Sequence, residues 1–368
     1  MTHIVVLGAG YSGQVAANLA ARRCDAEVTL VNDRDRFVER VRLHQFAAGQ
    51  ELRERKIADL LRGTGARLVV DRVTAIDTGT RTVRLAAGDP IRYDTLIYAL
   101  GSHTDLESVP GVAEHAYPVT GAEHALRLRV RVADGGTVTV VGGGLTGIEA
   151  ATELAESNQD LKVRLLTGDV LGARLSERGR RYLRRTCARL GIEIRDEVQV
   201  AEVRADGVVL AGGEHVPSDF VVWTTGFTVP PLAREAGLAV DDHGRMLVDD
   251  TMRSVSDPDV YAVGDAASVR LKGGPELRMA CATGLPSAQA AVRAIKARTA
   301  GRVPKPMRFR YVNQCISLGR KDGLIQFVRA DDSPKEAVLT GRLAALYKEI
   351  IVRGALQVQR HPAIPTSF

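Results

Sequence analysis

The chain has 368 residues, 45% hydrophobic and 4% aromatic, with 50 basic against 44 acidic side chains and a net charge of +6. That length and apolar share suffice for two α/β domains plus a small module and exclude a disordered chain. The positive balance carries no Lys/Arg run with interleaved aromatics, which excludes nucleic acid as an expected partner, and Cys24, Cys187, Cys281 and Cys315 form no Cys-x-x-Cys pair, which excludes a zinc or thioredoxin-like centre; no metal is expected.

Met1 runs directly into an apolar strand, with no basic leader or long apolar core, and no later stretch is long enough to span a bilayer, so a cytoplasmic protein is expected. The first unit is His3-Ile-Val-Val-Leu, a buried strand, entering Gly8-Ala-Gly10-Tyr11-Ser12-Gly13 and then a helical pattern from Val15 to Ala20. A second strand, residues 28–31, follows and ends at Asn32 and Asp33. Residues 95–100 form an apolar strand closing on Gly101.

The same text then recurs. Thr137-Val-Thr-Val-Val enters Gly142-Gly-Gly144-Leu145-Thr146-Gly147, a helical pattern follows, and a second strand at residues 163–166 ends at Thr167 and Gly168. Its closing strand, residues 220–224, stops at Thr225-Gly226. One Gly-x-Gly-x-x-Gly is weak evidence. Two copies, each between strand and helix and each with the same closing strand, predict two dinucleotide sites. The first glycine permits the tight turn, the second admits a pyrophosphate to the backbone, the third lets helix and strand pack, and the helix N-terminus offers free N–H groups to the phosphates.

The third signal is an apolar strand ending at Gly264-Asp265, with a helix N-cap as the alternative role of Asp265. With this order of motifs the chain resembles the two-dinucleotide-binding-domain flavoproteins. The resemblance implies FAD at the first turn with Asp265 on its ribityl chain, and NAD(P)H at the second. In the FAD copy Asn32 and Asp33 are both placed to bond the ribose, and Arg40 is a further expected cofactor contact. In the NAD(P)H copy Thr167-Gly168 puts no carboxylate against a 2′-phosphate, and Arg174 is the candidate phosphate partner, so NADPH is expected to be accepted comparably with NADH.

Residues 37–49 hold no cysteine where the disulfide-reductase branch of these flavoproteins has its Cys-x4-Cys pair. Electrons are therefore expected to pass directly to a bound acceptor. Among such enzymes the chain resembles type II NADH:quinone oxidoreductases and the ferroptosis-suppressor group, which is related to apoptosis-inducing factor. The carrying residues are Leu43-His44, Gly144-Leu-Thr-Gly147-Ile-Glu149, Pro286-Ser-Ala-Gln289-Ala and Ser317-Leu-Gly-Arg-Lys-Asp-Gly323. The resemblance implies that Glu149 lies near the nicotinamide and Gln289 lines the quinone side; a second glutamine expected four residues on is Arg293 here. His44, the one histidine of its stretch, is the candidate proton donor to the acceptor, with a packed histidine as the alternative.

The expected architecture is two Rossmann-like three-layer FAD/NAD(P)-binding domains, the second inserted in the first, plus a small α+β C-terminal module. Their ranges are 1–112 and 241–300 for the first domain, 113–240 for the second, and 301–368 for the module. In the module, residues 309–311 and 324–328 read as strands and 341–360 as a basic amphipathic helix, which lies on a membrane interface or packs on the parent domain or across a homodimer. The leading functional reading is an FAD-dependent NAD(P)H oxidoreductase with a quinone or similar small acceptor. The alternatives are an FAD-dependent dehydrogenase or reductase of a specific biosynthetic metabolite and, from another class, a redox sensor with incidental turnover.

Overall fold

The computed structural model describes residues 1–271 and 276–366. β-Branched and leucine runs with no polar alternation form strands buried on both faces, as parallel sheets require. Thr2–Leu7 is the central strand of five, in the order Val260–Ala262, Thr95–Tyr98, Thr2–Leu7, Ala26–Asn32, Arg67–Val70, all parallel. A second all-parallel sheet has the order Glu193–Arg195, Leu161–Leu166, Gly136–Val141, Phe220–Trp223, Ala116–Pro118. Because the second sheet lies between Thr95–Tyr98 and Val260–Ala262 in sequence, one Rossmann-like unit is inserted in the other. The chain leaves and returns through a short antiparallel ribbon of His103–Thr104 with Phe227–Thr228.

Each unit adds a three-stranded antiparallel sheet, Val73–Asp77 with Thr82–Leu85 and Ile91–Arg92 in the first, and Val200–Arg204 with Gly207–Leu210 and His215–Pro217 in the second. The C-terminal module is the antiparallel sheet Asn313–Ser317, Gly323–Val328, Pro334–Thr340, followed by the helix Gly341–Arg360. Its Ile316, Leu318 and Leu324 join Leu43 and Ala47 of the first unit in one core with Leu128, Ile148 and Leu154 of the second. The first unit, the second and the module thus meet around residues 43–48.

One expectation for the module changes. Residues 309–311 form no strand; instead the Tyr311 hydroxyl accepts from the Arg278 N–H at 2.8 Å and its ring carries the Arg278 guanidinium. The helix has the expected bounds, and its large apolar side chains point outward, away from the parent domain: Leu343, Leu346 and Ile350 are 66, 57 and 60% exposed, while Ala344, Val352 and Val358 are buried. Among the described residues no helix is long and apolar enough to cross a membrane.

Candidate functional site

The two glycine-rich turns repeat each other atom for atom in their logic. Gly8 has φ +93°, and a Cβ there would stand 2.6 Å from the Ala99 carbonyl oxygen; a Cβ at Gly13 would drive into the carbonyl of Gly8. Gly142 has φ +121° with Thr224 Oγ1 at 2.6 Å from its ideal Cβ, and a Cβ at Gly147 would drive into the carbonyl of Gly142. The middle glycines, Gly10 and Gly144, face open space. The helices Tyr11–Arg23 and Leu145–Ser157 begin there with no side-chain cap, so their first N–H groups face that space. Two glycines of each turn serve packing, and the middle one leaves an open face at an uncapped helix N-terminus. Tyr11, Ser12, Leu145 and Thr146 are the half-buried first residues of the two helices.

At the end of the second strand, Asn32 is committed to the turn itself: its Oδ1 accepts from Ala9 N at 2.8 Å and its amide donates to the Arg34 carbonyl at 2.9 Å. Asp33 is more open and pairs with Arg34 at 2.9 Å. Gly101, at φ +69°, leads to Ser102, whose hydroxyl donates to Asp265 Oδ2 at 2.8 Å. Arg40 donates to Ser102 Oγ at 3.0 Å and lies 3.8 Å from Asp265; burial pulls its guanidinium below the ordinary value while Asp265 opposes the shift. Asp265 caps no long helix. It sits in the turn Gly264–Ala266, and the following helix, Cys281–Thr299, has Ala280 as its N-cap residue. Ideal Cβ atoms at Gly264 and Gly284 would lie 2.7 and 2.6 Å from Ser12 Oγ, so the first turn, the strand-Gly-Asp turn and this helix converge on one serine. Cys281, set aside with the other cysteines in the sequence, stands in that helix's first turn.

In the second turn Thr167 is buried under Gly143, where a Cβ would strike its hydroxyl, and Gly168 is exposed beside it. Arg174 is exposed and among the described residues makes no ion pair. Thr225 and Gly226 are exposed at the ribbon, with Gly226 at φ +70° and its carbonyl accepting from Asp105 N at 2.9 Å.

Where the three units meet, Glu149 forms an ion pair with Lys348 of the C-terminal helix and accepts from Ser317 N at 3.0 Å. His44 Nδ1 lies 3.9 Å from Glu149 Oε2. Lys348 also donates to the Cys315 carbonyl at 3.2 Å, and its neighbour Glu349 pairs with Arg42 at 2.8 Å, so two successive residues pin this helix inward. Burial and the nearby Arg42 bring the Lys348 ammonium down to about 7. Burial, then Lys348, Arg320 and Arg42, hold His44 well below its ordinary value, so it is neutral at physiological pH. Sequence reasoning missed Lys348. Its only signal is a lysine among the arginines of an amphipathic stretch, and nothing local shows that it turns inward.

Gln289 does not join this group. Its amide donates to the carbonyls of Pro362 and Ile364 at 3.0 and 2.6 Å and its oxygen accepts from Thr366 Oγ1 at 3.0 Å, so the C-terminal tail occupies it fully.

Residues 2–294 match the pyridine nucleotide-disulphide oxidoreductase family. The chain is 33% identical over 314 residues to an NADH dehydrogenase-like protein of Mycobacterium tuberculosis, covering 78% of each chain. It is 26% identical over 370 residues to the demethylphylloquinone reductase of Synechocystis, covering 94% of this chain and 91% of that one. Its fold is shared with the sulfide:quinone oxidoreductase of Aquifex aeolicus at a TM-score of 0.82, with 20% identity over 98% of this chain and 92% of that one. The chain belongs to the pyridine nucleotide-disulphide oxidoreductase family, a membership that implies an oxidoreductase binding FAD and NAD(P)H.

Proposed function

We propose that this protein is an FAD-dependent NAD(P)H oxidoreductase that delivers electrons to a quinone or similar small acceptor without a redox disulfide. The observation that carries the reading is the largely buried Glu149–Lys348 pair beside neutral His44, at the junction of both dinucleotide units and the C-terminal module. The likeness to a demethylphylloquinone reductase over nearly the whole chain supports a quinone-type acceptor.

The residues fit FAD at the first turn. The open face of Gly10 and the uncapped helix would receive a pyrophosphate, Asp33 would bond the ribose, and Asp265 with Ser102 and Arg40 would hold the hydroxyl-bearing chain. When bound, FAD supplies hydride acceptance from NAD(P)H and onward electron transfer. The Gly144 face and the Thr167-Gly168 end hold the coenzyme, with Arg174 available to a 2′-phosphate. Glu149 orients the reacting end of the coenzyme. Lys348 gives its proton to the acceptor oxygen and recovers it through Glu149, a task that neutral His44 cannot perform as an imidazolium. Steady-state oxidation of NAD(P)H under anaerobic conditions with a short-chain quinone tests the reading; ferricyanide reduction without quinone reduction would remove it.

The outward Leu343, Leu346 and Ile350, flanked by Arg342, Arg353 and Arg360, support peripheral contact with an anionic membrane in which a quinone would dissolve. The protein is expected to co-sediment with phosphatidylglycerol vesicles at low salt, and Leu346→Glu with Ile350→Glu to abolish this. Equal sedimentation of the double variant would exclude the helix as the contact.

Coenzyme choice gives a further expected result. Thr167 is packed under Gly143 and has no room to grow, whereas a side chain at Gly168 would enter open space, its nearest neighbour being the Val198 carbonyl at 3.9 Å. Gly168→Glu should place a carboxylate against a 2′-phosphate and shift preference from NADPH toward NADH by about ten-fold, on the order of 1.4 kcal/mol. An unchanged ratio of kcat/KM values would show that another residue reads the ribose.

A further inference from the structure

The helix Leu145–Ser157 carries three glutamates, Glu149, Glu153 and Glu156, at spacings of four and three, which stacks them on one face. Residues 317–320 of the C-terminal module run beside that face: Ser317 N donates to Glu149 and Arg320 N to Glu156. On the other flank are His44, near Glu149, and Gln50, whose amide donates to Glu153 Oε1. Glu153, in the middle, is fully buried, and its second oxygen has no partner; the Nε2 of buried His44 has none either. Glu156, one turn outward, is half-buried. An unpaired buried oxygen is costly, and a carboxyl is retained there at a disadvantage unless its proton is used.

We propose that Glu153 is a proton relay joining solvent at Glu156 to the Glu149–Lys348 pair. The proposal rests on the reading of the acceptor given above. Reduction of a quinone to the quinol takes two electrons and two protons. NAD(P)H supplies both electrons and one proton as hydride, leaving NAD(P)+, and solvent supplies the second proton. In the relay, Lys348 gives a proton to the acceptor oxygen and is reprotonated through Glu149. Glu153 passes its proton to Glu149 and is refilled from Glu156. Burial, with Glu156 as a like charge, pushes the Glu153 carboxyl up to about 7, against the opposing pull of Arg320 and Gln50, so both of its protonation states are accessible at neutral pH. The other charged groups around the path are Lys348, Arg42 and the Glu51–Arg129 pair next to Gln50; His44 faces it as a neutral ring.

The test uses FAD-loaded wild type, Glu153→Gln and Glu153→Asp, with NAD(P)H as donor and two acceptors. Ferricyanide takes electrons without protons; a short-chain ubiquinone takes both. Glu153→Gln should keep the ferricyanide rate while kcat with quinone falls about ten-fold or more and its solvent deuterium isotope effect rises; Glu153→Asp should restore most of it. Equal quinone rates and pH profiles in wild type and Glu153→Gln would overturn the relay alone. Wild type that reduces ferricyanide but no quinone would instead overturn the acceptor reading, and the relay with it. A readout without turnover accompanies these. A native carboxyl held above its unfolded value binds a proton that the unfolded chain has lost, so wild-type Tm should fall as pH rises from about 5 to about 7. Glu153→Gln should lack that part of the fall, and an identical Tm profile would overturn the relay.

Discussion

Replacing Lys348 by methionine is expected to lower turnover with a quinone by about two orders of magnitude, the scale of a lost general acid, and to destabilise the fold by about 3–5 kcal/mol, the scale of one partner removed from a buried pair. Both effects come from one contact. Lys348 and Glu149 are only 13 and 12% exposed, so methionine would leave a carboxylate that solvent screens poorly. Two further variants separate the effects. Lys348→Arg keeps the charge but holds its proton too tightly to give it up; it should recover stability and not turnover. Lys348→Met with Glu149→Gln removes both charges and should do the same. The pH dependence has a definite sign. With the native ammonium near 7 and an unfolded lysine near its ordinary value, the unfolded chain binds the extra proton between those pH values, so this group makes stability rise with pH across that window. Lys348→Met should lose that rise, which denaturant titrations at pH 7 and 9 would show. The proton donor is the protonated amine, so wild-type kcat should decline above about pH 7. A flat kcat together with full activity of Lys348→Met would remove Lys348 from the reaction.

What was legible in the sequence is what local covalent geometry enforces. Gly8, Gly13, Gly142 and Gly147 are readable because no other residue leaves room for the neighbouring carbonyls, and the strands on either side are readable because continuous β-branched text suits a doubly covered parallel sheet. The Gly264-Asp265 turn is readable for a similar reason: Gly264 has φ +71° and its missing Cβ makes way for Ser12. The junction was not legible, since Glu149 and Lys348 are 199 residues apart and only the packing of the C-terminal helix brings them together. The amphipathic pattern of that helix left open whether its apolar side packs inward or faces outward; two ion pairs to Glu149 and Arg42 turn the polar side in and leave the apolar side out. His44 illustrates a second limit. Its place in the chain was informative, but its charge depends on burial and on Lys348 and Arg320 from distant segments, besides nearby Arg42. Gln289 illustrates a third: the motif was present, and the tail from residue 362 onward engages its amide.

Gly10→Ala and Gly13→Ala are expected to lose FAD for different reasons, and the difference tests the assignment of the first turn. At Gly13 the added methyl meets the Gly8 carbonyl, which belongs to a strand-turn backbone that cannot step aside. Overpacking of that kind costs about 1–3 kcal/mol or more, so FAD loss should come with a lower Tm of the apoprotein. At Gly10 the backbone, with φ −69° and ψ −172°, suits alanine, and the methyl meets nothing within 4 Å. The apoprotein should therefore melt as wild type does, while the methyl stands where a pyrophosphate must approach the uncapped N–H groups. FAD affinity should fall by about ten-fold or more, on the order of 1.4 kcal/mol. Gly144 is the internal control, with φ −72°, ψ 175° and the same open face. Gly144→Ala should keep FAD, measured by flavin absorbance per chain, and slow reduction by NAD(P)H in anaerobic stopped flow. If Gly144→Ala sheds FAD while Gly10→Ala retains it and binds coenzyme poorly, the two sites are assigned the wrong way round. If Gly10→Ala retains FAD with wild-type affinity, the pyrophosphate does not approach this turn, and the ligand role given to its open face is wrong.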